Sequence, residues 1–221
     1  MISLLMQNSA GQMSVGLAEG DQVLFDSTVD VDLAGSRNVE AYVRAAFTHT
    51  GKTMANVTCV FADIGPGGLG ATRTTAAFAN ALGFAKTIPV IGIHAFELIG
   101  YHVAKTVQKP VVCIRPAARP NYYVALYDQG ELSEFSFVDT NTVKSFVRRH
   151  QDTAGFAGKF SFAAVEGAPE SDWPVPSANS ASMVSFLAVA LGKYEKGMRS
   201  TRIYPIIENL VVTASDKFSS K

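Results

Sequence analysis

The order of elements written into this chain constrains its fold more than any single motif does. Three alternating segments, ISLLM (2–6), QMSVGLA (12–18) and QVLFDSTV (22–29), are split by QNSAG and EGD. Alternation of this kind predicts strands, and the Gly and Asn in the breaks accept the positive φ of tight hairpins. A helix follows in SRNVEAYVRAAFTHTG, with Ser36 as its N-cap, Val39, Tyr42, Val43, Ala46 and Phe47 on one stripe, and Gly51 at its end. NVTCVFADIG (56–65) has few polar breaks, as suits a strand with neighbours on both sides. A helix from about Ala71 to Lys86, a strand IPVIGIH (88–94) and a helix AFELIGYHVAKTV (95–107) complete the first half.

The second half starts the pattern again. KPVVCIRP (109–116), NYYVALYD (121–128) and ELSEFSFV (131–138) predict three strands, and Thr140 or Asn141 caps a helix in NTVKSFVRRHQD. A strand KFSFAAVEG (159–167), a Pro-rich stretch around Trp173 and a long helix in SASMVSFLAVALGKYEKG close the chain. The order is βββαβα twice, without sequence identity between the halves. Such internal duplication implies two similar α/β lobes, 1–105 and 106–221, facing each other across a cleft. The final segment has the option of packing back on the first lobe.

Composition narrows the function. A chain of 221 residues that is 48% hydrophobic and 17% charged can bury a substantial core. Lys and Arg together number 19, equal to Asp and Glu, so the whole-chain charge offers none of the basic excess that grips a nucleic-acid backbone. No direct strong nucleic-acid binding is expected. Cys59 and Cys113 each sit in an apolar run, which predicts two buried thiols rather than a disulfide or a metal pair. No run reaches membrane-spanning length and the amino terminus lacks a signal-peptide pattern, so a cytoplasmic protein with no membrane association is expected.

The segment IGPGGLGATR (64–73) raises the sharpest chemical question. A glycine-rich turn between strand and helix can cradle an anion on successive backbone N–H groups, helped by the helix dipole. Gly65, Gly67, Gly68, Gly70 and Arg73 are the candidates for such a site. The loop lacks the Lys-Ser/Thr ending of a P-loop and the spacing of a dinucleotide fingerprint. We read it as mainly architectural, a way for the chain to leave a central strand and enter a closely packed helix. In that helix Ala71, Thr75, Phe78, Leu82 and Ala85 predict a core stripe, and Ala76, Ala79, Asn80 and Gly83 a second face nearly free of bulk. That small face would admit another helix at short range, unless the helix is sandwiched inside its own lobe. His94 and His102 are eight apart with no thiol or carboxylate in register, so no metal site is expected. His49 and His150 sit at helix ends, where the dipole suits them. Neither HExxH nor a Gly-x-Ser-x-Gly elbow is present, which disfavours a protease.

Three stretches, MSVGL (13–17), VFADIGPGGLGATR (60–73) and ALGFAKTIPVIGIHAFELI (81–99), resemble the YeaZ/TsaB-type subunits of the bacterial threonylcarbamoyladenosine tRNA-modification complex, once filed as glycoprotease-like. NYYVALY (121–127) and YPIIEN (204–209) are weaker matches. The resemblance implies a two-lobed, actin-like and sugar-kinase-like fold. It also implies a non-catalytic subunit that holds and activates a TsaD-type catalytic subunit, with a TsaE-type ATPase joining them and a homodimer when alone. It implies a partner interface on the small helix face (Ala76, Ala79, Asn80, Gly83) and on the preceding helix (Tyr42, Ala46). No tightly bound cofactor is expected, with ATP or ADP at a subunit interface as an option. The sequence departs from the pattern at Gln7, where active members of the fold carry a carboxylate, at Gly35 in place of a His, and at RPAARP (115–120). A neutral amide neither attracts Mg²⁺ nor accepts a proton. The alternative is an ATP-dependent small transferase or kinase-like enzyme using the interlobe cleft.

Overall fold

Strand β1 (Ile2–Gln7) is buried along its whole length, because it has strands on both sides and helices over both faces. Its side chains alternate between two cores. Ile2, Leu4 and Met6 join Val60 and Ala62 on one face of the sheet, and Leu5 joins Cys59 and Phe61 on the other. The structure, a computed structural model, describes residues 1–118, 120–160 and 174–206. β1 pairs antiparallel with β2 (Ser14–Glu19), which pairs antiparallel with β3 (Gln22–Asp26). On its other side β1 runs parallel to β4 (Val57–Asp63), which runs parallel to β5 (Val90–Ile93). The sheet order is therefore β3-β2-β1-β4-β5.

A second sheet repeats this wiring with one strand fewer. β6 (Val111–Pro116), β7 (Tyr122–Asp128) and β8 (Glu131–Val138) form an antiparallel set, and β9 (Gly155–Gly158) returns parallel to β6, giving β8-β7-β6-β9. The chain thus has the duplicated, two-lobed α/β architecture of the actin-like fold. β9 lies before the strand expected at 159–167, of which residues 159 and 160 are not in a strand and residues 161–167 lie outside the described residues, as does Trp173.

Helices α1 (Val39–Thr50) and α2 (Leu69–Lys86) cover the outer face of the first sheet. α4 (Thr140–His150) covers the outer face of the second, through Val143 and Val147 against Val112, Ile114 and Val124. The inner faces are covered by exchange. α3 (Ala95–Val107), from the first half of the sequence, packs Phe96, Ile99 and Val103 on Val111, Cys113 and Tyr127 of the second sheet. α5 (Met183–Glu195), from the second half, packs Met183, Phe186 and Leu187 on Leu5, Phe61 and Ile91 of the first. A division near residue 105 therefore separates the sheets but not the helices that cover them. Lys193 of α5 and Glu97 of α3 pair at 2.8 Å where the exchanged helices meet.

Helix ends follow local chemistry with small shifts from expectation. α1 is capped by Asn38, whose side chain accepts from Glu40 N, while Ser36 Oγ accepts from Asn38 N two residues earlier. α4 is capped by Asp139 rather than Thr140 or Asn141, since its carboxylate reaches Thr142 N at 2.7 Å. Gly51 ends α1 in the left-handed conformation, at φ 66°.

The exchange depends on close approach at Gly100. A Cβ there would lie 2.4 Å from Tyr127 Cγ, so α3 can rest on β7 only without a side chain. Gly192 in α5 has open space around the same position. Gly100→Ala should lower stability by about 1–3 kcal/mol through overpacking, whereas Gly192→Ala should raise it by roughly 0.4–1 kcal/mol by reducing unfolded-state entropy. Urea unfolding midpoints of the two variants against wild type check both signs.

Candidate functional site at the junction of the lobes

In open α/β sheets the crevice beyond the carboxyl ends of the strands is where ligands bind. Three polar residues stand at those ends here: Gln7 on β1, Asp63 on β4 and Arg115 on β6, with exposures of 1%, 0% and 3%. Each is buried, so each needs partners.

Asp63 collects backbone amides. One carboxylate oxygen accepts from Ser9 N at 2.9 Å and Asn8 N at 3.3 Å, and the other from Gly65 N at 2.8 Å. The turn after β1 and the first residue of the glycine loop are thereby bound to one internal anion. The two segments also touch directly. A Cβ on Gly67 would lie 2.2 Å from Ser9 O, and Gly68 N donates to that same oxygen at 3.3 Å. The glycines let backbone meet backbone at this point.

Arg115 crosses from the second lobe to the first. Its guanidinium donates to Ser9 Oγ, to Pro66 O at 2.9 Å and to Asn179 O at 2.6 Å. These acceptors are all neutral, and its Nε meets no acceptor among the described residues. Burial lowers its pKa, while the charge of Asp63 acts in the opposite direction. Gln7 uses its amide as a peptide mimic. In the orientation that satisfies both groups it donates to Ala181 O at 3.2 Å and accepts from Ala181 N at 3.1 Å, just before α5. The Gln that cannot replace a carboxylate at a metal thus anchors the returning helix.

The remaining sequence candidates divide clearly. Gly65, Gly67 and Gly68 lie in this junction, and Gly70 and Arg73 lie beyond it on α2. Arg73 is exposed and forms no ion pair among the described residues, so it does not pair with Asp63. The faces assigned to a partner need correction. Ala76, Ala79 and Gly83 are buried against the first sheet, because small residues let α2 approach it: a Cβ on Gly83 would meet Val90 Cγ2 at 2.3 Å. Tyr42 and Ala46 are core residues, with the Tyr42 hydroxyl donating to Leu33 O at 2.8 Å. Asn80 is engaged by the chain's own return, donating to Ile203 O at 2.9 Å and accepting from Ile203 N at 2.8 Å. Past its first two residues, the outward-facing residues of α2 are Arg73, Thr74, Ala77, Ala81, Phe84 and Ala85. Phe84 is 88% exposed.

Of the expected core stripe, Thr75 and Leu82 are buried and Ala85 is not. The weak amphipathicity of this Ala- and Thr-rich helix is why its sequence pointed to the wrong side. Asp63 and Arg115 were the missed residues of the junction. Each is a lone charge ending an otherwise apolar strand, VTCVFAD and VVCIRP, and that is the signal that identifies them.

Both cysteines are buried free thiols on different sheets, and burial pushes Cys59 up to about 12 and Cys113 upward as well. Among the described residues, no group of three or more His, Cys, Asp and Glu side chains could hold a metal ion, and no helix is long and apolar enough to cross a membrane. His102 Nδ1 meets Ser185 Oγ at 3.0 Å, tying α3 to α5. His94 caps α3, accepting from Phe96 N on Nδ1 at 3.1 Å. Burial, then the charges of Lys193 and Arg115, lower its pKa to about 3.

Residues 34–152, more than half of the chain, match the family model described as TsaD, tRNA N6-adenosine threonylcarbamoyltransferase. Two solved structures from Pseudomonas aeruginosa share the fold over 93% of this chain. One, an uncharacterized protein with similarity to peptidase YeaZ, aligns over 98% of its own length at 18% identity and a TM-score of 0.72. The other, YeaZ itself, aligns over 100% of its length at 18% identity and a TM-score of 0.68. No curated protein matches the sequence.

Two measurements test the junction. Arg115→Met leaves buried acceptors unpaired and should cost about 1–3 kcal/mol in urea unfolding. For His94 the native pKa lies below the unfolded value, so between pH 6.5 and pH 3 the unfolded chain binds the extra proton. Stability should be fully present above pH 6.5 and fall with acidification, with a limiting slope of about 1.4 kcal/mol per pH unit. His94→Asn, which keeps a capping oxygen, should flatten this part of the pH profile of the unfolding midpoint.

Proposed function

The chain belongs to the TsaD family, tRNA N6-adenosine threonylcarbamoyltransferase, and on that premise we propose that it is a non-catalytic member of the tRNA-modification machinery. In this reading it docks to a TsaD-type catalytic subunit, with a TsaE-type ATPase as a further component, and supports threonylcarbamoylation of the adenosine beside the anticodon. The observation that carries the reading is that the polar groups at the strand ends of the junction are bonded to the chain's own groups. The amides of Asn8, Ser9 and Gly65 already hold the Asp63 carboxylate, and Gly67 lies against Ser9. A polyphosphate at that point would meet a fixed negative charge and compete for donors already engaged. These residues do not fit a nucleotide in the crevice, and Gln7, tied to Ala181, supplies no carboxylate for a metal.

Docking then falls to the outside of the body. The outward face of α2, with Ala77 and Ala81 one turn apart and Phe84 beyond them, is the surface we assign to the TsaD-type subunit. It replaces the inward face of the same helix. ATP or ADP, if it acts in the assembly, would bind at the subunit interface rather than between the lobes.

The isolated chain should show no turnover of ATP with Mg²⁺. Brisk hydrolysis or group transfer by purified protein would instead favour the kinase-like alternative. Ala81→Arg should abolish co-elution with the cognate TsaD-type subunit while leaving the thermal midpoint within a degree or so of wild type. Ala79→Arg, which forces a charge into the core, should unfold the protein by several kcal/mol. Intact association of the Ala81 variant would remove α2 from the interface.

A further inference from the structure

Beside the outward face of α2 lies a groove of about 1160 Å³. One wall is α2, through Ala77, Ala81 and Phe84. The other is the returning chain after α5, through Arg199 and Arg202, with Tyr194 between them. That return is firmly held. Val90 N donates to Ser200 O at 2.8 Å along the open edge of β5, and Asn80 grips Ile203 through both its backbone groups. The groove is therefore a built feature of the fold.

Its charge is one-sided. Among the described residues none that lines it is acidic, and the charged ones are the two arginines. Both are exposed and neither forms an ion pair among the described residues. Their guanidinium groups lie over aromatic rings, Arg199 at 3.9 Å from the Tyr194 centroid and Arg202 at 5.1 Å from that of Tyr204. Arg199 also donates one N–H to Tyr194 O at 3.2 Å, so stacking and this bond hold the planar cation in place while its remaining N–H groups can meet a carboxylate. α2 itself carries Arg73 and Lys86 and no acid, and Lys86 is occupied by the carbonyls of Met54, Ala55 and Val57.

Resting on the docking reading above, we propose that this groove takes an amphipathic helix of the partner whose polar edge is acidic and meets Arg199 and Arg202. The small residues Ala77 and Ala81 admit a helix at short axial separation, Phe84 supplies an apolar knob, and the arginine pair sets the direction and register of the incoming segment. A second copy of this chain fits poorly. A two-fold interface presents the same patch twice, and here it would set cations against cations with no acid on either side. A nucleic acid also fits less well, since two arginines beside an apolar wall neutralise few phosphates and the chain as a whole carries no net charge.

The test is binding of the full chain to the cognate TsaD-type subunit by titration calorimetry at about 50 and 300 mM salt, with wild type, Arg199→Glu/Arg202→Glu and Arg199→Gln/Arg202→Gln. Thermal melts show that each variant is folded, and the glutamine pair serves if the reversal is not. Two exposed ion pairs predict a wild-type affinity that weakens with salt, a roughly tenfold loss for the reversal, and a smaller, salt-independent loss for the glutamine pair. Equal, salt-independent affinity of all three proteins overturns the acidic-edge proposal while leaving docking intact. Absence of wild-type binding removes the docking reading and this one with it. Wild-type self-association that the reversal abolishes, or tRNA binding lost in the reversal while the partner still binds, also overturns it.

Discussion

A carboxylate with no exposure to solvent must be satisfied by its own protein, and Asp63 meets that requirement with three backbone amides. The rest of the junction is arranged around this choice. Placing the charge at the end of β4 draws the turn after β1 and the start of the glycine loop together. Their contact is so close that Gly67 can carry no side chain. With those backbones fixed, Ser9 and Pro66 present the oxygens that receive Arg115 from the other lobe. One buried charge and the donors it recruits thus place the acceptors through which the second lobe is held at this point.

The same arrangement ties the ends of the strands into the chain's own bonds. Duplicated sheets usually leave the ends of their strands free to hold a ligand. Here those ends are consumed by internal bonds: Gln7 to Ala181, Asp63 to amides, and Arg115 to carbonyls and a hydroxyl. The exchanged helices tie the lobes further. α3 covers the second sheet and α5 the first, so the lobes cannot separate without opening two apolar cores. On the exterior, the outward side of α2 and the strapped return around Arg199 and Arg202 line one groove.

α2 shows where reading from sequence ends. Its limits, its glycine-rich approach and its dense small residues are all plain in the chain. The side those small residues face is not, because Ala, Thr and Gly distinguish core from surface weakly and either a sheet or a partner helix can use them. The structure turns them inward, where Gly83 rests on Val90, and leaves Phe84 outside. Bulk, the usual marker of burial, holds for Leu82 and fails for Phe84 on this helix. Tyr42 illustrates a related limit. The resemblance put it in a partner interface, yet it is buried with two carbonyl acceptors, those of Leu33 and Ser36.

Alternation and turn chemistry by themselves determined the run of strands and helices up to α4, the repeated three-strand start of each half, and helix stops such as Gly51. These depend on neighbours within a turn or a hairpin, which the chain carries in order. Only the tertiary structure decided that Ser9 meets Arg115 across 106 residues and that Asn80 meets Ile203 across 123. Such pairs leave no periodic trace. A buried polar group selects its partner by where the packed sheets bring donors and acceptors together, and that placement exists only once both lobes have folded onto each other.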